Sequence, residues 1–199
     1  MTMRSLTRIG VAMTVLIGLA SAPALAEVEV GQKAPELELE DQAGNRVALD
    51  DHEGSVVVLE WVNPDCPFVQ RHHAAGTMKK LAETYAPKGV VWLGVNSTHY
   101  MDAEASADFR KTHELPYPIL VDASGKVGRS YGAVTTPHMF IIDEDGTVVY
   151  EGAIDDDPRG QKSSAENYVA NALDEVVNDR PVSVAATTPY GCSVKYAKE

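Results

Sequence analysis

Apolar positions along this chain fall into runs of different length and period. The first, over residues 9–19, follows Arg4 and Arg8 and is too short to span a bilayer as a stable helix. It ends in Ser21-Ala22-Pro23-Ala24-Leu25-Ala26, whose small residues at 24 and 26 form an Ala-x-Ala pattern. A signal peptide is therefore expected over 1–26, with Glu27 opening the mature chain. No cysteine follows the run to carry a lipid, and no later apolar stretch is long enough to anchor the chain, so no membrane contact is expected after cleavage.

The remaining runs have the lengths of core strands and helices. Leu37 and Leu39 alternate with acids before Gly44-Asn45, which predicts a small N-terminal β-hairpin. The β-branched stretch 55–62 reads as a buried central strand, and 90–95 as a second. Between them, Phe68, Val69, Ala75, Met78, Leu81, Ala82 and Tyr85 recur at helical spacing, which predicts a helix over 67–85. Further helices are expected at 103–113, 127–131 and 165–177. An extended segment is expected at 117–122, and a hairpin joins 139–142 to 147–150 across Asp143-Glu144-Asp145-Gly146. Residues 155–162 and the chain beyond Asn178 carry no periodicity and read as loose. A parallel βαβ half followed by a hairpin and a helix predicts a three-layer α/β/α sandwich with an N-terminal β-extension and a C-terminal tail. We assign 27–180 to one domain and 181–199 to the tail.

Charge narrows the partners. The 199-residue chain has a formal net charge of −12; without residues 1–26, which hold two arginines and no acid, it is −14. So negative a surface argues against nucleic acid. Thiols, peroxides, metal ions and protein disulfides remain. Export makes the cysteine count informative, because disulfides persist outside the cytosol and the chain has only Cys66 and Cys192.

Cys66 stands where the first central strand gives way to a helix. Unpaired backbone N–H groups and the helix dipole stabilise a thiolate there, and the thiolate is the attacking form. Pro67 suits the first helical turn, because it has no N–H to leave unpaired. Arg71, one turn on, is a candidate for substrate contact or for lowering the thiol pKa, with a solvated helix charge as the alternative.

Asn63-Pro64-Asp65-Cys66-Pro67-Phe68 and Gly132-Ala133-Val134-Thr135-Thr136-Pro137-His138 resemble two segments of the thioredoxin fold: the active-site cysteine position and the loop that carries a cis Thr-Pro bond. With Gly31-Gln32-Lys33-Ala34-Pro35 and Tyr190-Gly191-Cys192-Ser193-Val194-Lys195, the chain resembles redoxins of the alkyl hydroperoxide reductase/thiol-specific antioxidant group, in the peroxiredoxin-like branch. The resemblance implies that Cys66 is the attacking thiol, that Pro137 is cis beside it, and that Thr136 lies in the segment that aligns an incoming sulfur partner. Two departures shape the reading. Val69 occupies the place of thioredoxin's second cysteine, and Asn63 the place of the threonine that helps a peroxiredoxin bind peroxide. Disulfide exchange with protein or small-molecule thiols and disulfides fits better than peroxidase chemistry, and no cofactor is called for. Cys192, the only other thiol, is the candidate to resolve a mixed disulfide; a static staple to Cys66 or an inert buried thiol are the alternatives. We expect residues 188–196 to fold back over the Cys66 helix.

Histidines supply a rival reading. His72 and His73 follow Cys66 on the same helix and His138 follows Pro137, so Cys66, His73 and His138 are a candidate copper or zinc set. For His72 and His73 a surface or packing role is the simpler expectation. Trp61 and Phe68 are expected in the core, and Asp155-Asp156-Asp157 lacks the spacing of a calcium loop. A third alternative is a non-catalytic binding module whose two cysteines are permanently bonded.

Overall fold

The computed structural model describes residues 28–198; the expected leader over 1–26 lies outside them. In chain order the elements are β1 (Glu38–Asp41), β2 (Arg46–Ala48), β3 (Val56–Trp61), α1 (Pro67–Ala74), α2 (Thr77–Tyr85), β4 (Val90–Asn96) and α3 (Ala103–Thr112). There follow β5 (Ile119–Val121), α4 (Lys126–Ser130), β6 (Thr135–Thr136), β7 (His138–Ile142), β8 (Val148–Gly152), α5 (Tyr168–Val176) and β9 (Cys192–Ser193).

Seven strands form one sheet in the order β2-β1-β5-β4-β3-β7-β8. β3, β4 and β5 run parallel, while β7, β8 and the N-terminal hairpin add to them antiparallel. The central position of β3 explains a sequence apolar at every position but Glu60, since both of its faces are covered. Side chains alternate strictly across it: Val56 and Val58 face the layer built by α1, α2, α3 and α5, whereas Val57, Leu59 and Trp61 face a second core with α4 and the N-terminal segment. Trp61 is locked there between Tyr131 and Phe140 and donates through its indole N–H to Ser97 Oγ at 3.1 Å. No helix among the described residues is long and apolar enough to cross a membrane.

The helix expected over 67–85 is two helices. Gly76 takes a left-handed conformation, φ 70°, and the N–H groups of Ala75 and Gly76 close α1 onto Arg71 O and His73 O, so the chain stops and restarts. The last helix begins at Tyr168 rather than 165 because the Asn167 side chain caps it, accepting from Ala170 N–H at 2.8 Å.

The largest difference concerns the segment read as loose. Ala185 O accepts from Glu151 N–H, Thr187 N–H donates to Glu151 O, and Thr187 Oγ1 accepts from Ala153 N–H, which stitches the tail along β8. It then crosses α1, pairs as β9 with β6, and ends with Tyr196 OH on Ala133 O and Arg129 stacked on the Tyr196 ring. Individual side chains and a two-residue ladder hold it, without periodicity.

Candidate active site

Cys66 is the N-cap of α1, in extended conformation, with Pro67 at the first helical position. The turn before it is tied by Asn63: its carbonyl accepts from Cys66 N–H and its side-chain oxygen from Asp65 N–H. Asn63 is therefore committed to shaping the loop. The Cys66 thiol donates to Thr136 O at 3.0 Å, and the Thr136–Pro137 peptide is cis. Antiparallel register places Thr136 opposite Cys192 and Thr135 opposite Ser193. The two cysteines are both free thiols and hydrogen-bond each other.

Their electrostatic environments are opposed. Burial pushes the Cys66 thiol up, but bonds to its sulfur from the Cys192 thiol, the Thr136 side chain and the backbone N–H groups of Val69 and Cys192 outweigh burial and hold it below its ordinary value. Cys192 is pushed up to about 11, by burial first and then by its bond to, and repulsion from, a Cys66 thiolate. Of the two thiols, Cys66 is thus the one held toward its ionised form and Cys192 the one held away from it.

Arg71 does not point to an open substrate site. Its guanidinium donates to Asp157 O and Pro158 O at 3.0 Å each and to Tyr190 OH at 3.3 Å, fixing the 155–158 loop and the tail against α1. The Tyr190 ring packs on Phe68; its hydroxyl donates to Asp155 Oδ1 and lies 2.9 Å from His72 Nε2. Burial lowers the His72 pKa below the ordinary imidazole value. The Arg71–His72–Asp155–Tyr190 cluster was not assembled by sequence reasoning, which read His72 and Asp155 separately; an aromatic–Gly–Cys run within an otherwise patternless tail was the available signal.

The candidate metal set is not brought together. His73 Nε2 binds Glu60 Oε1 at 2.7 Å inside the core, and His138 Nδ1 accepts from Val134 N–H at 3.4 Å while its ring packs on Phe140. Burial lowers the His138 pKa to about 4. Among the described residues no group of three or more His, Cys, Asp or Glu side chains is placed to hold a metal ion.

Comparison with known proteins agrees with this architecture. Residues 30–151 match the AhpC/TSA family. The chain belongs to that family. A hypothetical protein of Sinorhizobium meliloti superposes with a TM-score of 0.80 at 26% identity, covering 87% of this chain and 98% of its own. Thiol-disulfide oxidoreductase ResA of Bacillus thuringiensis is 28% identical over 125 residues, 63% of this redoxin and 70% of ResA. Peroxiredoxin Bcp of Bacillus subtilis is 27% identical over 168 residues, 73% of this redoxin and 93% of Bcp.

Proposed function

We propose that this redoxin is an extracytoplasmic thiol-disulfide oxidoreductase in which Cys66 is the nucleophile and Cys192 the resolving thiol. The observation that carries the reading is the placement of the chain's two cysteines: Cys66 caps the N-terminus of α1, and β9 lays Cys192 opposite Thr136, whose carbonyl accepts from the Cys66 thiol. Cys66 attacks a substrate disulfide as the thiolate, giving a mixed disulfide and a departing substrate thiolate, which takes up a proton. Once Cys66 is covalently bonded, the thiolate that raised the Cys192 pKa is gone. Cys192 then loses its proton to solvent and attacks Cys66 Sγ, releasing the second substrate thiol and leaving a Cys66–Cys192 disulfide. Two thiols of the protein are oxidised and one substrate disulfide is reduced; the reverse sequence oxidises a dithiol. ResA supports exchange, and the leader pattern over 1–26 supports export. Asn63 offers peroxide no hydroxyl, and its side chain is already bonded within the turn.

The test is turnover of a disulfide substrate by the full mature chain with a small-thiol reductant. Cys66→Ser is expected to fall to the uncatalysed rate. Normal turnover in that variant contradicts the reading.

A further inference from the structure

Cys66 is only 1% exposed, and Thr136, whose carbonyl it bonds, is equally covered. No external sulfur reaches Cys66 while the tail lies in place. What covers it is specific: a short extended strand, laid antiparallel on β6, that carries a cysteine at the position facing the nucleophile.

Each residue of that strand meets a built environment. Tyr190 stands on Phe68 with its hydroxyl among Arg71, His72 and Asp155. Gly191 has φ 141°, and a Cβ there would come 2.1 Å from Thr136 O and 2.8 Å from Thr136 C, both backbone atoms that cannot swing aside. Only glycine passes this point. Cys192 meets Cys66, Ser193 faces solvent, and Val194 packs against the second core while its N–H donates to Val134 O at 3.1 Å. At the rim, Val134 and Tyr100 are half exposed, at 50% and 55%.

We propose that residues 190–194 are the internal occupant of a peptide cleft, and that the substrate is an extended polypeptide segment of the pattern aromatic–Gly–Cys–x–aliphatic, whose cysteine is engaged in a disulfide. The proposal rests on Cys66 being the exchange nucleophile and names the partner of that site. The segment replaces the tail on β6 by strand addition, with main-chain bonds giving register and the Tyr190 and Val194 positions giving selectivity. Cys66 thiolate attacks the segment's cysteine, the substrate disulfide breaks, and the other substrate sulfur leaves and is protonated. The tethered tail then returns at high effective concentration; Cys192, deprotonated to solvent, attacks Cys66 Sγ, and the segment leaves as a thiol. Displacement and return of one strand thereby couple recognition to resolution. A second copy of the chain offers the same strand but competes with a tethered tail at its own low concentration, which favours a partner that is trapped covalently.

The experiment uses the full mature chain carrying Cys192→Ala and three peptides, each as a mixed disulfide with glutathione: Thr-Pro-Tyr-Gly-Cys-Ser-Val-Lys-Tyr, the same with valine for glycine, and the same with alanine for the first tyrosine. Adduct formation at Cys66 is followed by intact mass. The valine peptide is expected to react roughly tenfold or more slowly than the parent, since an added side chain that backbone cannot accommodate weakens docking by that order. The alanine peptide should fall between them. In a second variant, Gly191→Val added to Cys192→Ala in the full chain, the tail is expelled and all three peptides should react faster with their order preserved. Equal rates for the three, with Cys66 still reacting, overturn the cleft while leaving exchange chemistry intact. An unmutated chain that elutes as a stable dimer, with Gly191→Val eluting as a monomer, overturns the choice of occupant in favour of a second copy. Failure of Cys66 to react with any of them, or with glutathione disulfide, refutes the exchange reading and the cleft together.

Discussion

Glu60 is a carboxylate at the centre of the sheet, and replacing it with alanine gives a sharp test of how this fold holds a buried charge. It is 0% exposed. Oε1 accepts from His73 Nε2 at 2.7 Å, and Oε2 accepts from Trp92 Nε1 and Tyr117 OH at 3.0 Å each, so strands β3, β4 and helix α1 converge on one group. Burial raises the carboxyl pKa, but His73 and the two further donors prevail and keep it below 4.5. In Glu60→Ala, three buried donors lose their acceptor and a cavity opens beneath α1. Breaking a buried pair by removing one partner costs about 3–5 kcal/mol, and at about 2–4 °C per kcal/mol for a domain of this size the midpoint should fall by roughly 6–20 °C. Urea unfolding followed by tryptophan fluorescence measures this directly, because Trp92 is itself a donor to Glu60. A depressed carboxyl contributes stability above its unfolded pKa and loses it as pH falls through the folded value. The gap between wild type and Glu60→Ala should therefore be full above about pH 4.5 and narrow in more acid solution. Glu60→Leu combined with His73→Leu should recover much of the loss. A Glu60→Ala cost below about 1 kcal/mol would refute the reasoning, because a satisfied buried anion cannot be that cheap to remove.

Three further outcomes follow from the site. The rate of Cys66 alkylation should rise through a midpoint below the ordinary thiol value of 9.0, and Cys192→Ala should move that midpoint upward by removing a donor to the sulfur; an unmoved midpoint would show that Cys192 does not bond Cys66 in solution. Tyr190→Phe removes the hydroxyl shared by Asp155, Arg71 and His72 and should loosen the tail, raising Cys66 alkylation severalfold at fixed pH; an unchanged rate would assign tail docking to other contacts. Gly152→Ala places a Cβ 2.2 Å from Thr187 Oγ1 and 2.4 Å from Thr187 O at φ 138°, and should cost about 1–3 kcal/mol and speed hydrogen exchange at Thr187 N–H; protection equal to wild type would mean that the tail is not stitched to β8.

Much of this fold was legible because its signals are local. The β-branched run 56–62 has no polar interruption except Glu60, and a strand covered on both faces is what such a run makes. Pro67 after Cys66 marked a helix start, and the order of elements sufficed for an α/β sandwich with Cys66 at a strand-to-helix junction. What stayed hidden depends on contacts between distant residues. The break at Gly76 was masked because apolar spacing continues through Met78 to Tyr85 and a helical glycine is tolerated at modest cost. Arg71 read as a substrate contact or a solvated helix charge, and His72 as a surface or packing residue; their joint contact with the 155–158 loop and Tyr190 joins distant parts of the chain. The tail lacks any period to read, since Thr187, Tyr190, Gly191 and Tyr196 each make a different long-range contact. His73 and His138 resembled ligands in a list of residue types; in space one hydrogen-bonds Glu60 and the other packs in the core.

Whether Cys66 attacks and Cys192 resolves is decided by exposing the reduced full mature chain to glutathione disulfide, quenching with acid and mapping the cysteine peptides without reduction. The Cys66 and Cys192 peptides should be recovered linked to each other, and Cys192→Ser should instead accumulate glutathione on Cys66. Recovery of Cys192 as a free thiol beside a persistent glutathione adduct on Cys66 in the unmutated chain would contradict it.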